Sequence, residues 1–354
     1  MDISVTDARG LFTKMLIDVY QERIKPTAFL RSFFPSETSP TKEVAIEVER
    51  GFEKIAVDVF RGTEGNRNSF SKSTEKLFVP PLYREYFDAT QLDLYDRVLG
   101  SQGNAQVPLF TALLNKVADR LSLLQDKIER AYELQCAQVL LTGIVTVASG
   151  VNIDFKRKAT SLVDLNAGGG GGYFATNSDV FKQFEAGANF LRTIGKSGDG
   201  TFNAILGSTA LADLLGNTKF TGRQNLFNMA LDQVNGPQRG ALGMTYHGTL
   251  TAGPYKIQLW AYPQFFDDPT NGNVSTPYID AKKVVMIPTQ PKFKTGFAAV
   301  PQLIGEPGQL PVQGEYLIGE FLDNRKASHI FDIQSAAIAI PVAVDQIYTM
   351  KAVA

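Results

Sequence analysis

Chemistry in this chain would have to come from a short list of side chains. Gly195, Lys196 and Ser197 form a Gly-Lys-Ser triplet of the kind that cradles phosphate, but the full GxxxxGK[ST] loop needs a glycine where Phe190 stands and a strand where the spacing predicts a helix. The triplet therefore reads as a turn after a helix. The two histidines, His247 and His329, fall in different predicted strands, which leaves little for general-base work or for zinc. Asp267 and Asp268 stand side by side and could suit a hard cation, yet they head "DDPTNGN", the composition of a β-turn. The single cysteine, Cys136, rules out an intrachain disulfide or a multi-cysteine cluster and sits in a helical run, where burial is the expectation. No GxSxG elbow and no Cys/His pairing is present, and the sequon at Asn273 has no secretory signal to make it matter. The residues thus nominate no catalytic, cofactor-binding or metal-ligating set.

The charge balance excludes further classes. Lys plus Arg number 35 against 36 Asp plus Glu, a formal net charge of -1, so binding nucleic acid by charge alone is not expected. The basic runs "KRK" at 156–158 and "KK" at 282–283 read as solvated faces. No stretch approaches the ~18 consecutive apolar residues of a membrane span, and Asp2 stands where a signal peptide would be basic, so synthesis in the cytoplasm is expected.

The elements that would position such residues are clearer than the residues themselves. At 354 residues the chain is long enough for a divided core. Leu11, Phe12, Met15, Leu16, Val19 and Ile24 predict a short amphipathic helix on an N-terminal arm that Pro26 ends. An aromatic cluster follows, Phe29, Leu30, Phe33 and Phe34, and then a Pro/Ser/Thr linker, "PSETSPT". Val44, Ile46 and Val48 alternate with Glu43, Ala45, Glu47 and Glu49, and Ile55, Val57 and Val59 alternate beyond Arg50 and Gly51, which predicts an antiparallel hairpin turning there. Pro80 and Pro81 demote the next extended run to an edge or irregular strand.

From residue 107 to 141 apolar residues keep helical spacing (Phe110, Leu113, Val117, Leu121, Leu124, Ile128, Tyr132, Val139), with Lys116, Arg120, Lys127 and Arg130 between them. That predicts a rod of roughly 50 Å. The glycine run at 168–172 reads as a flexible connector and domain boundary. Beyond it, an α+β unit is predicted. It comprises a helix capped by Ser178, the strand "FNAILGS", helices "STALADLLGN" and "QNLFNMALDQ", and the strands "YKIQLWAY" and "KVVMIP". The β-rich end, "SHIFDIQSAAIAIPVAVDQIYTMKAVA", is expected to return through both units.

An arm, a hairpin and a rod that cannot bury themselves need other subunits. "AFLRSFFPS", "EVAIEVERGFEKIAVDVF" and "FDIQSAAIAIPVAVDQIYTMKAVA" resemble the major capsid proteins of tailed bacteriophages, in particular the lambda-type head protein family (major capsid protein E). The resemblance implies the α+β Hong-Kong-phage capsid fold. Its N-arm would span 1–41 and its E-loop 42–92. A peripheral domain with the spine helix would span 93–175, completed by 291–340, and an axial domain 176–290, completed by 341–354.

It also implies a non-enzymatic function, self-assembly of hexamers and pentamers into the icosahedral shell of a virion around double-stranded DNA that is contacted weakly and without sequence preference. A separate scaffolding protein, a portal and room for a decoration protein go with it, and no cofactor does. An encapsulin-like compartment shell and an unrecognised enzyme remain as alternatives. Phe29, Leu30, Phe33, Phe34, Val44, Ile46, Val48, Ile55, Val57 and Val59 are the expected assembly contacts. The aromatic four would latch the arm onto the peripheral domain of its own or an adjacent subunit, the alternative being that they are core of a single folded subunit. Lys72 and Lys76, near the expected loop tip, are lysines that a covalent cross-link between subunits could use.

Overall fold

The computed structural model describes residues 29–48, 74–90, 109–146, 152–166, 172–174, 178–227, 238–240, 242–268, 272, 274–303, 309–323 and 328–354. The expected arm helix at 11–24, the strand at 55–59 and Lys72 lie outside them. In chain order the first strands are β1 (Ser36–Thr38), β2 (Val44–Val48), β3 (Thr74–Phe78) and β4 (Leu82–Thr90), followed by helix α1 (Leu109–Leu141). Next come β5 (Ile144–Val145), β6 (Ile153–Asp154), β7 (Leu162–Asp164), α2 (Val180–Thr193), β8 (Thr201–Leu206), α3 (Ser208–Gly216) and α4 (Thr218–Phe227). The rest is β: β9 (Gln238–Arg239), β10 (Thr245–Ala252), β11 (Tyr255–Ala261), β12 (Phe265–Asp268), β13 (Val274–Pro277), β14 (Lys283–Pro288) and β15 (Phe293–Phe297). The last five strands are β16 (Val300–Leu303), β17 (Gln309–Val312), β18 (Leu317–Asp323), β19 (Ser328–Pro341) and β20 (Tyr348–Lys351).

Two sheets organise the chain. One is seven-stranded in the order β7-β20-β14-β8-β11-β10-β9, and its central strands are buried on both faces, which is why "KVVMIP" reads as an unbroken apolar run. Val284 and Met286 point into a core made with α2, α3 and α4, while Val285 and Ile287 point the other way, into a second core. The other sheet runs β1-β15-β19-β18, with β4 also paired to β19, and α1 lies on it. Val117, Leu121, Ile128 and Tyr132 of the helix meet Phe297, Phe331, Ile333 and Ala337 there. The last turns of α1 sink deeper. Cys136, Ala137, Val139 and Leu140 fill the junction between the two sheets.

Several expectations need correcting. The strand at β2 forms and pairs with β3, Val44 opposite Phe78 and Val48 opposite Thr74, a partner that the alternation did not name; the expected turn at Arg50 and Gly51 and the strand at 55–59 lie outside the described residues. Alternation gives a strand its faces and says nothing about its partner, which is fixed here by packing: Val44 is buried and Phe78 lies 5.3 Å from Phe155. The "PSETSPT" linker holds strand β1, parallel to β15, where the Pro35 carbonyl accepts the Thr295 N–H at 2.9 Å.

Helix α2 is capped by Asp179, whose side chain accepts from the Lys182 N–H; the Ser178 hydroxyl donates instead to the Tyr173 carbonyl. The helix expected at "QNLFNMALDQ" starts earlier, at Thr218, because the Asn217 side chain accepts the N–H groups of Lys219 and Phe220. Asp267 and Asp268 end a strand, β12, rather than forming the turn. The chain enters the seven-stranded sheet at Leu162, ahead of the glycine run. "KRK" is not a uniformly solvated face, since Arg157 turns inward.

Candidate assembly surface

The aromatic segment at 29–34 docks on the chain's own junction core. Phe29, Leu30 and Phe34 are buried and Phe33 is half-buried against them. Phe29 packs against Trp260 (5.7 Å) and Tyr262 (5.6 Å) from β11 and the residue that follows it, and Phe34 stacks on Phe293 (4.9 Å). Within one chain these residues lie in the core of their own subunit.

The docking is polar as well as apolar. Glu133, buried on α1, accepts the backbone N–H of Leu30 at 2.9 Å and of Arg31 at 3.0 Å through its two oxygens. Burial raises its pKa, against hydrogen bonds from Tyr262 and those two amides. Arg31 reaches the other way, lying 3.5 Å from Glu129 and 3.8 Å from Glu315 and over the Tyr132 ring. Burial would lower its pKa, but Tyr316, Glu129 and Glu315 outweigh that and raise it.

Of the remaining expected contacts, Val44 is buried at the root of the β2–β3 ribbon, pressed against Gly296, where an added Cβ would come within 2.6 Å of its Cγ1. Ile46 and Val48 lie in β2, and Ile55, Val57 and Val59 lie outside the described residues. Lys76 sits in β3 opposite Ile46.

A surface that the hydrophobic pattern did not single out lies on β4. Its residues alternate: Tyr83 and Phe87 face inward, with Tyr83 against Tyr132 of α1 and Phe87 against Phe331 of β19, while Leu82, Arg84, Tyr86 and Asp88 face outward. Leu82 and Tyr86 are 53% and 64% exposed, an apolar pair that a lone soluble sheet would not need. Between them Arg84 donates from Nε to Asp332 at 2.8 Å and lies over the Phe321 ring. Asp332 is fully buried across the bare face of Gly319, where a Cβ would meet its Oδ1. The two-residue alternation in "LYREYFD" was the available signal.

The residues with chemical potential are scattered. Lys196 ends the turn after α2 with φ +50°, His247 is on β10 and His329 on β19, 3.3 Å from Glu320. Burial lowers the pKa of His247 and raises that of the Cys136 thiol well above the usual range. Among the described residues no group of His, Cys, Asp and Glu side chains could hold a metal ion, and no helix is long and apolar enough to cross a membrane.

A sheet-bound helix of 33 residues, a second sheet with three helices and a projecting ribbon form an architecture with known relatives. The putative capsid protein of an Escherichia coli CFT073 prophage superposes with a TM-score of 0.65 at 14% identity, over 97% of this chain and 99% of that one. A phage-related protein of Bordetella bronchiseptica RB50 superposes with a TM-score of 0.51 at 13% identity, over 96% of each chain. The fold is that of phage capsid proteins of the Hong-Kong-phage type. No curated protein matches the sequence. The family "Phage major capsid protein E" matches residues 13–352, and the chain belongs to it.

Proposed function

We propose that this chain assembles with copies of itself, as hexamers and pentamers, into the icosahedral shell around the double-stranded DNA of a tailed phage, and that it catalyses no reaction. The family match from residue 13 to 352 carries this reading. Within it the arm spans 1–41 and the E-loop 42–92. The peripheral domain spans 93–175 with 291–340, apart from β7, which joins the sheet of the axial domain at 176–290 with 341–354. The ribbon rooted at β2 and β3 lies across a neighbouring subunit, and the aromatic segment holds the arm at the junction from which it leaves. The net charge of -1 suits DNA that is enclosed but not gripped. Assembly takes place in the host cytoplasm with a separate scaffolding protein and a portal, the outer surface is open to a decoration protein, and the finished chain resides in the virion.

Negative-stain microscopy of the purified protein tests this: closed particles of uniform diameter are expected, with DNA inside those recovered from infected cells. A chain that stays monomeric at high concentration, with or without a scaffold, overturns the reading. Particles that enclose an enzyme in place of DNA point to a cellular compartment.

A further inference from the structure

Within the basic triplet at 156–158, Lys156 pairs with Asp154 and Lys158 with Asp345 at the surface. Arg157 points inward. Its Nη1 donates to the Leu140 carbonyl at 2.9 Å, and its Nη2 to the carbonyls of Ser161 and Ile347, both at 3.2 Å, and to Thr349 Oγ1 at 3.1 Å. Leu140 is in the last turn of α1, Ser161 leads into β7, Ile347 immediately precedes β20 and Thr349 lies in it. One side chain therefore ties the end of the long helix to two strands of the other sheet.

These acceptors are carbonyls and a hydroxyl, and among the described residues no carboxylate forms an ion pair with Arg157. Burial lowers its pKa to about 10. The charge is answered by peptide dipoles, among them the C-terminal end of α1, where a cation is favoured. Gly143 fits the same joint twice over. Its φ of +77° ends the helix in the left-handed region, and an added Cβ would lie 2.4 Å from Arg157 Cδ.

We propose that Arg157 is a positioning residue that sets the angle at which α1 meets the seven-stranded sheet, and through that angle the curvature of the shell. The proposal rests on the shell reading above. The apolar junction is non-directional and tolerates sliding, whereas a planar guanidinium bonded to three segments admits one orientation. In a closed shell the same angle recurs in every subunit, so a small change in each alters closure of the whole.

The test compares the full chain with Arg157→Lys, which keeps the charge and loses the fork, and with Arg157→Met. In unassembled Arg157→Lys, the amides of Gly143, Phe155 and Ser161 should exchange roughly tenfold faster, while those of β8 keep wild-type rates. Assembled Arg157→Lys should give a spread of diameters or open sheets where wild type gives one diameter. Unchanged exchange overturns the proposal. Faster exchange with a single wild-type diameter also overturns it, reducing Arg157 to a local stabilising contact. Wild type that forms no closed particles defeats the shell reading instead, and exchange then judges the joint by itself. Should Arg157→Met fail to fold, Gly143→Ala, which displaces the arginine stem, serves as the second variant.

Discussion

Glu133 and Leu30 are 103 positions apart in sequence and 2.9 Å apart in space, carboxylate oxygen to backbone nitrogen. The burial of that carboxylate makes the root of the arm sensitive to protons, in a direction that is easy to mistake. Burial raises the folded pKa of Glu133. Folding therefore favours the protonated form. The cost of its charge appears as pH rises through the unfolded value of about 4.3 and is complete above the folded value. Glu133→Gln carries no such charge, so its stability relative to wild type should improve as pH rises through that window. Denaturant midpoints of both proteins on the same pH series measure this. A difference that stays flat or falls with pH contradicts it.

Phe34 and Phe33 should separate by burial. Phe34→Ala empties a site that is 1% exposed and should cost about 3–5 kcal/mol in urea unfolding of the unassembled chain, whereas half-buried Phe33→Ala should cost about 1 kcal/mol. An unchanged midpoint for Phe34→Ala would mean that the segment is undocked until shells form.

Arg84→Ala strips the guanidinium from a fully buried carboxylate and should cost about 1–3 kcal/mol. Replacing both partners, Arg84→Met with Asp332→Val, should recover most of that loss. Thermal melts of the two single variants and the double decide it, and a double variant as unstable as the sum of the singles would show that the pair is not a unit.

Lys196 holds a left-handed conformation that suits glycine. Lys196→Gly should raise stability by about 0.5–1 kcal/mol, the relief of strain exceeding the added chain entropy. Calorimetry with and without nucleotide checks both halves of this claim: stoichiometric nucleotide binding that the variant loses would revive the phosphate-loop reading.

The ribbon can be followed by hydrogen exchange. Amides of β2 and β3 should exchange quickly in free subunits and slowly in shells, because two strands with no third partner among the described residues open easily alone. Equal protection in both states would place the ribbon outside every contact between subunits.

Elements whose evidence is local were legible in the sequence. The spacing from Val117 to Val139 announced α1, and the apolar run in "KVVMIP" announced a strand. Partners were not legible. Nothing in the alternation of Val44, Ile46 and Val48 says that Phe78 lies opposite Val44, and nothing in "PSETSPT" says that Thr295 will pair with Ser36. The aromatic cluster was visible as something that must be covered. What covers it is set by Trp260, Tyr262 and Phe293, more than 200 positions away. Glu133 and Arg157 carried no signal, because a charged residue on a helix or in a basic triplet ordinarily faces water.

Strand β19 lies inside one sheet and β20 inside the other, so neither sheet is whole until residues 328–351 have left the ribosome. A chain broken off before residue 328 lacks an interior strand from both sheets. The order of the strands thus makes both sheets depend on residues 328–351.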